Sequence, residues 1–580
     1  MVTIIRLLGF ILSTAGYWEM LRKNSEISVF FIPSLTVAIQ VNTLFLCGIL
    51  NLLPEGAWIL CFLGIMGFFY LIRTKGEIPI DTRSYFNVGF LFFGITMICM
   101  ALFLKRQLFV EYDNFSHWAL VVKRMLEVNR YPTFQDLLIE YQAYPLGSST
   151  FLYFFAKIVG NTSEPVLMLA QLYMMLTCIL PLFSLAEKNR FCGMFVIAIA
   201  TNFFFTYNIV TTSLLVDTLL PLAGMCGVMF TVMYCREQSN WRNVLFATSY
   251  AILLVQIKNS GVLFAGIICL QILIRIPQSR FVLRFSCTIA TIFTIVLWHK
   301  HCGYVFQRAN QTTHALSFSY AKQTFLQKSA EDVRTIVIKM IEFSMKWKDF
   351  WAVLLVFIVL GIIILLFVKI EFRLYKKVLS AVFFLYAVYQ VGMLGMYLAS
   401  MPGNEALTLA GNIRYAKTII IAAMYLYIAM AVRAISCLDP KLLFPPVITA
   451  IAVSTAFCSL LFLSTGRVRF VLTYTPTYSY NSGQREWLES AIEEYHIPDR
   501  KNYCILIPKS DSGYTYYLGA YLLQSNSITT IIADDASKLE NIDKEYIFVY
   551  DENNEVIKDW ISQNYPEQIG AKVIRKGMDS

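Results

Sequence analysis

Long apolar runs separated by short polar loops occupy the first four-fifths of the chain. Most are about 17–25 residues long, the length that a helix needs to cross the hydrocarbon core of a bilayer. The clearest runs are 27–53, 57–72, 88–104, 166–185, 191–205, 214–234, 281–298, 350–367, 378–400, 415–432 and 444–464. Two shorter runs, 245–257 and 262–274, flank Lys258 and are expected to span as a pair. The pattern predicts a polytopic α-helical membrane protein with about thirteen transmembrane helices.

Two further apolar stretches are too short to count as clear spans. Residues 4–17 carry Arg6. We interpret them as an interfacial or uncleaved segment, because nothing that follows resembles a mature soluble domain. The sequence leaves open whether they cross the membrane. Residues 148–159 are expected to form a juxtamembrane helix on the outer leaflet, since a span there would place the later basic loops on the wrong side.

The pattern changes after residue 465, where the chain becomes polar. Short β-like runs alternate with helical patterns, which predicts a small α/β domain with a mainly parallel sheet. The β-like runs are 503–507, 528–532, 546–550 and 571–574, and the helical patterns are 484–495, 514–524 and 554–563. We therefore divide the chain into a transmembrane domain, 1–465, and a C-terminal domain, 466–580.

Composition agrees with this division. The chain has 580 residues, of which 57% are hydrophobic and 15% charged, and this excludes a soluble globular protein. A net charge of +10 is typical of some nucleic-acid-binding proteins, but residues 466–580 contain 12 basic and 17 acidic side chains. The excess positive charge therefore lies in the transmembrane domain, in alternate short loops, as the positive-inside rule requires. We expect no nucleic-acid partner.

This charge distribution also predicts the orientation. The basic loops should face the cytoplasm, so the loops 105–165 and 300–349 and the C-terminal domain should face outward. The expected location is the plasma membrane, with multiple passes and an extracytoplasmic active site.

Two carboxylates, Glu111 and Asp113, lie where a helix should leave the membrane. Paired acids at that position point to binding or catalysis. In an extended segment, side chains two residues apart face the same way, so the pair would converge on one ligand. An alternative role for Asp113, or for Asn114, is to cap the next helix. Residues 115–126 form an amphipathic pattern, which predicts a helix lying in the membrane surface with Trp118 at headgroup level.

Three further charged residues fall at the same predicted depth and on the same side: Asp217, Lys258 and Arg414. Each has an ordinary explanation, because Lys and Arg side chains can extend to lipid headgroups and Asp can pair with a neighbouring helix. Their shared position with the acidic pair favours one common site.

Together these motifs resemble the GT-C superfamily of integral-membrane glycosyltransferases, which includes protein O-mannosyltransferases and aminoarabinose transferases. The resemblance rests on Glu-x-Asp in the first outward loop, the following helix with Trp118, and Tyr144-Pro145-Leu146-Gly147. Lys258-Asn259-Ser260-Gly261 and Arg414-Tyr415 are similar to later motifs of the superfamily. Leu146 replaces the commoner proline, and the lack of a Trp-Trp-Asp run argues against transfer of whole glycans to asparagine.

The resemblance implies an enzyme of the cell envelope that uses a polyprenyl-phosphate sugar as donor. It would transfer a hexose or pentose, with inversion, to a hydroxyl of an extracytoplasmic glycan, lipid or protein, working within the membrane lipid. This chemistry needs a general base, for which we select Asp113. Glu111 would orient Asp113 or, with it, bind Mg²⁺ or Mn²⁺ if the enzyme uses a metal.

Cations must stabilise the departing phosphate, and Lys258 and Arg414 are the candidates for this role. Weaker candidates for the same role are Lys123 and Arg124. The residues expected to contact sugar or acceptor are Asp217, His117, Tyr144 and Tyr415.

Two other functions compete with this interpretation. A polysaccharide polymerase or ligase acting on undecaprenyl-linked units would rely on arginine and histidine, for which Arg308 and His314 are available. A secondary transporter would show inverted repeats and charged or broken helices at mid-membrane. The polar residues here gather instead at one boundary, and we see no internal repeat.

Overall fold

The computed structural model consists of a helical transmembrane domain and a small C-terminal α/β domain. It describes residues 2–75, 82–186, 191–208, 211–236, 240–306, 318–368, 371–437, 445–464, 480–534, 538–539, 542–551 and 554–576.

The described residues of the transmembrane domain are mostly helical. Its first ten helices are α1 (Val2–Asn24), α2 (Ile32–Ile49), α3 (Leu53–Lys75), α4 (Thr82–Tyr85), α5 (Val88–Leu104), α6 (Ala119–Val128), α7 (Gly147–Val159), α8 (Glu164–Ile179), α9 (Phe191–Thr206) and α10 (Leu219–Tyr234). The next ten are α11 (Trp241–Ile257), α12 (Val262–Arg275), α13 (Phe281–Val305), α14 (Phe318–Leu326), α15 (Ala330–Lys346), α16 (Lys348–Phe367), α17 (Phe372–Ala399), α18 (Gly403–Thr408), α19 (Asn412–Ser436) and α20 (Pro446–Ser464).

Eight helical stretches among the described residues are long and apolar enough to cross a bilayer, which indicates a multi-pass membrane protein. They are Val2–Asn24, Val29–Ile49, Leu53–Thr74, Glu164–Leu185, Gln278–Val305, Ala330–Phe367, Phe372–Ala399 and Asn412–Ser436. Shorter apolar helices, such as α5, α9 and α10, account for other predicted spans. The expected number of about thirteen would require these shorter helices to cross as well.

The N-terminal stretch is more helical than the sequence indicated. Instead of a short segment at 4–17, α1 is one helix of 23 residues and meets the length and hydropathy of a span. It packs against α3, where the backbones of Gly16 and Gly64 approach so closely that a Cβ on Gly16 would overlap the carbonyl oxygen of Gly64. Small residues allow this close approach of apolar helices in a membrane.

The segment predicted as a juxtamembrane helix is indeed helical, and it is buried within the protein. Every residue of α7 except Lys157 is buried, and the helix contacts α1, α2, α6 and α8. The sequence pattern identified an apolar helix too short to span. The apolar surface of that helix is covered by protein rather than by lipid.

The C-terminal domain confirms the predicted small sheet. Its elements are α21 (Tyr480–Glu494), β1 (Tyr503–Ile507), α22 (Tyr514–Leu523), β2 (Ile528–Ile532), β3 (Tyr546–Val549), α23 (Glu555–Asn564) and β4 (Val573–Arg575). The strand order is β2-β1-β3-β4, with β1 parallel to both neighbours and β4 antiparallel to β3. The expected domain boundary at 465/466 adjoins residues 465–479, which lie outside the described part of the chain.

Candidate functional site

The acidic segment adopts a helical conformation rather than the extended one that we expected. Asp113 has φ −68° and ψ −15°, and a π-helical turn, Asn114–Trp118, leads from it into α6. Glu111 lies just before this helical stretch and is exposed. The extended backbone that would have aligned the two carboxylates is therefore not present at Asp113. A π-helical turn is rare and is frequently found at functional sites.

Asp113 does not cap the helix either. Its carboxylate accepts a hydrogen bond from Nη1 of Arg414, at the start of α19. Asn114 instead fixes the segment before α10, since its Oδ1 accepts from the backbone N of Leu214 at 3.0 Å. Of the two roles considered for Asp113, the structure therefore favours participation in a charged site over capping.

Asp217 joins the two predicted cations. This residue lies two positions before α10 and is only 2% exposed. Its Oδ1 accepts from Nζ of Lys258 at 2.8 Å, and its Oδ2 lies 4.0 Å from Nε of Arg414. The two cations thus compensate the charge of this buried carboxylate. We call Asp113, Arg414, Asp217 and Lys258 the ionic cluster.

Two turns in the backbone help to bring the cluster together. Arg414 lies in the first turn of α19, after Gly411, whose φ of +71° is a conformation that favours glycine. Lys258 lies in the turn between α11 and α12. The ring of Tyr415 is 5.1 Å from both the Lys258 Nζ and the Arg414 guanidinium carbon, so it carries both cations on its face.

A largely apolar groove of about 460 Å³ begins at the cluster. Lys258 and Tyr415 line one part of it, and the exposed side of α17 lines another. On α17, Gly392 and Gly395 leave open space, because a Cβ at either position would meet no atom within 4 Å. The groove thus combines charged groups with a smooth apolar wall, which suits a ligand with a polar head and a hydrocarbon chain.

Aromatic residues of the segment 105–163 between α5 and α8, which we call the first loop, border this groove. Trp118 and Tyr144 line it, and their rings pack edge-on against His117. Trp118 is 5% exposed and therefore buried in the protein, not placed among lipid headgroups as the amphipathic pattern predicted. For Trp118, as for α7, the hydrophobic periodicity correctly identified an apolar helix face. It does not show whether lipid or protein covers that face.

His117 is buried, and neither ring nitrogen has a hydrogen-bond partner among the described residues. Burial, together with the nearby charge of Lys258, lowers its pKa to about 3. His117 is therefore a neutral side chain at physiological pH, packed behind Trp118 and Tyr144.

The structure does not bring the remaining predicted residues into the ionic cluster. Lys123 donates to the carbonyl oxygen of Tyr521 at 2.7 Å, and Arg124 pairs with Asp136 at 2.5 Å. Glu111 is exposed and lies near the C-terminal domain, where it helps to raise the pKa of a buried tyrosine. None of these positions supports phosphate binding at the cluster.

The C-terminal domain makes close contacts with the backbone before the acidic segment, and no sequence pattern predicts them. Arg485 of α21 is 5% exposed at its side chain, pairs with Glu164 at 2.8 Å and donates to the carbonyl of Phe109 at 2.7 Å. Tyr514 of α22 donates to the carbonyl of Val110 at 3.1 Å. Two residues of a separate domain thus hold the backbone just before Glu111. In a polar domain, no local sequence pattern distinguishes the residues that make such contacts.

The structure gives little support for a metal ion bound at Glu111 and Asp113. Within the described residues, no group of three or more His, Cys, Asp and Glu side chains is placed to hold an ion. Asp113, one of the two carboxylates named for Mg²⁺ or Mn²⁺, is hydrogen-bonded to Arg414. We derive no step through a metal.

No protein-family model, curated protein or solved structure matches this chain. The resemblance to GT-C enzymes therefore rests on the sequence motifs alone and stays a prediction.

Proposed function

We propose that the protein is a glycosyltransferase that moves a sugar from a polyprenyl-phosphate donor to a hydroxyl acceptor at the extracytoplasmic face of the membrane. The main support is the ionic cluster at the mouth of an apolar groove. A polyprenyl-phosphate sugar needs both features, since its phosphate requires cations and its chain requires an apolar surface.

In the proposed reaction, Asp113 accepts the proton of the acceptor hydroxyl as its oxygen attacks the anomeric carbon. A new carbon–oxygen bond forms while the bond between that carbon and the phosphate oxygen breaks, and the sugar is transferred with inversion. Polyprenyl phosphate leaves as an anion, so no general acid is needed. A positioned base of this kind contributes roughly 10²–10⁴-fold to the rate.

Lys258 and Arg414 are proposed to stabilise the phosphate as its charge develops. Asp217 is buried against both, which supports a role in orienting them rather than in binding sugar hydroxyls. Arg414 contacts Asp113 and lies within 4.0 Å of Asp217. Donor phosphate would compete for this guanidinium and free Asp113 to act as a base.

The proposal includes the finer topology. About thirteen helices would cross the plasma membrane, several of them shorter than the usual length, with the first loop and the C-terminal domain outside. Acceptor and lipid-borne donor would then meet at the outer boundary. The residues that would serve the competing polymerase, Arg308 and His314, lie outside the described part of the chain.

The test is a transfer assay with purified protein in detergent or nanodiscs. Wild-type protein and polyprenyl-phosphate hexose are expected to release free polyprenyl phosphate only when an acceptor is present. Asp113→Asn should lower that rate by about 10²–10⁴-fold. Asp559→Asn, an equal change at an exposed position of α23, should leave it unchanged. Full activity in Asp113→Asn, or no acceptor-dependent release by the wild type, would contradict the proposal.

A further inference from the structure

A second, polar cleft of about 300 Å³ lies between the first loop and the C-terminal domain. One wall consists of Arg124 from α6 with Gln135, Asp136, Leu137 and Leu138 of the first loop. The facing wall consists of the two turns, 500–502 and 524–527, that precede β1 and β2. Most side chains that line it are amides, hydroxyls and cations, which are groups that recognise the oxygen atoms of sugars and anions.

The carboxylate on this wall is already saturated. Asp136 has a fully buried side chain and accepts from Arg124 Nε at 2.5 Å, Arg130 Nη1 at 2.7 Å and the backbone N of Thr133 at 2.7 Å. It serves to hold the two arginines. It therefore presents no free negative charge to a ligand.

The opposite wall presents cations to solvent. The side chain of Arg500 is 59% exposed and shares Glu127 with Arg124, while that of Lys501 is 48% exposed, 3.5 Å from Glu545. Positively charged side chains outnumber carboxylates among the residues joined by these ion pairs and hydrogen bonds. The cations are Arg124, Arg130, Arg500, Lys501 and Lys544, which donates to Ser527 of the cleft, and the carboxylates are Glu127, Asp136 and Glu545.

The polar cleft and the apolar groove are both lined by residues of one short helical stretch. Trp118, just before α6, lines the apolar groove, and Arg124 of α6 lines the polar cleft. The two residues are six positions apart, which corresponds to about 9 Å along the helix axis. A chain of a few sugars is long enough to span this separation.

We propose that this cleft binds an anionic glycan, one whose sugars carry carboxylate or phosphate groups, and that it holds the acceptor chain beyond the residue that receives the sugar. This proposal rests on the proposed function and names the acceptor class for the same site. Guanidinium groups bind carboxylate and phosphate, and the amides and hydroxyls of the cleft bind sugar hydroxyls.

A binding assay tests the cleft without requiring any transfer. Full-length protein in nanodiscs made of zwitterionic lipid is titrated with an oligogalacturonate of about six residues and, separately, with neutral maltohexaose. The oligogalacturonate is expected to bind at least tenfold more tightly, and less tightly as salt is raised. The double variant Arg500→Gln/Lys501→Gln should bind it at least tenfold more weakly. Lys558→Gln, an exposed lysine of the same domain on α23, is the control and should bind like the wild type.

Equal binding of both oligosaccharides would overturn the anionic class, and undiminished binding by the double variant would overturn the site. An equal loss in Lys558→Gln would show only general attraction of the domain for anions and would also overturn it. Because the assay measures binding and not transfer, a failed test of the cleft can be distinguished from a failed test of the proposed function. An active wild-type enzyme with no binding here would refute the cleft alone, whereas binding without transfer would refute the proposed function alone.

Discussion

At the scale of single residues, the sequence identified the members of the ionic cluster but not how they pair. Asp113, Asp217, Lys258 and Arg414 stand out because a charge at the end of an apolar run needs a partner. The expected convergence of Glu111 with Asp113 required an extended backbone, whereas Asp113 is helical. One backbone conformation decides where such a side chain points, and a local sequence pattern does not determine it.

The pair formed by Asp217 and Lys258 should contribute strongly to stability. Asp217→Asn or Lys258→Met alone should lower the free energy of unfolding by about 3–5 kcal/mol, because each leaves a buried or half-buried charge without its partner. The double variant should lose less than the sum of the two. Denaturant titrations of all four proteins in detergent measure these values. Additive losses would mean that the two side chains do not interact.

His117 should make stability depend on pH. Its pKa is about 3 in the folded protein and about 6.5 in an unfolded chain, so the unfolded state binds the extra proton as pH falls below 6.5. Folding should therefore lose about 2 kcal/mol between pH 7.5 and pH 5 from this residue. His117→Phe should remove that part of the loss, whereas His299→Gln should retain it. Unfolding free energies at both pH values test this, and an unchanged pH dependence in His117→Phe would contradict it.

At the scale of elements, hydrophobic periodicity predicted the positions of α6, α7 and most of the spans. It did not predict what these helices pack against. Both α6 and α7 have the predicted apolar faces, yet these are covered by neighbouring helices and by the C-terminal domain. A sequence pattern cannot distinguish lipid from protein as the cover, because both are apolar. The alternation of strands and helices in the C-terminal domain was a stronger signal, and it predicted β1, β2 and β3 almost to the residue.

The exposed side of α17 should determine how the donor chain binds. Gly395→Leu places a side chain in the groove, so we expect the KM for a polyprenyl-phosphate donor to rise about tenfold, a loss of about 1.4 kcal/mol of binding. Folding should be unaffected, since the added Cβ meets nothing. The matched control is Gly266→Leu on α12, which is equally open but does not line the groove. Kinetics at varied donor concentration, with thermal unfolding alongside, separate the two effects. Equal KM values in both variants would remove the groove from donor binding.

At the scale of the whole molecule, the sequence predicted a separate C-terminal domain but not its position on the first loop. The contacts come from side chains scattered through α21 and α22, among them Arg485, Tyr514 and Tyr517, which donates to Glu140 of the first loop at 2.8 Å. Nothing in a soluble domain's own pattern marks such residues. The domain is therefore better described as a support for the acidic segment than as an independent appendage.

Arg485 should link this domain to the site. Arg485→Met leaves Glu164 without its buried partner, so we expect faster hydrogen exchange in residues 109–115 and a lower kcat, by about tenfold, with little change in donor KM. The control is Lys538→Met, which removes an exposed pair with Asp534 worth about 0–1 kcal/mol. Exchange monitored by mass spectrometry and transfer kinetics supply the two measurements. Unchanged exchange in 109–115 would mean that the domain does not hold the segment.

The orientation of the whole chain determines whether acceptor and donor can meet outside the cell. Cys192 and Cys437 are exposed and lie at the ends of α9 and α19 away from Arg414, so the proposed topology places both in the cytoplasm. Lys558→Cys on α23 should lie outside. In intact cells, a membrane-impermeant maleimide should label Lys558→Cys in a background where Cys192 and Cys437 are serine. In the wild type, Cys192 and Cys437 should react only after the membrane is permeabilised. The opposite labelling pattern would place the ionic cluster on the cytoplasmic side and would contradict the orientation predicted by the positive-inside rule. An extracytoplasmic acceptor could then not reach Asp113.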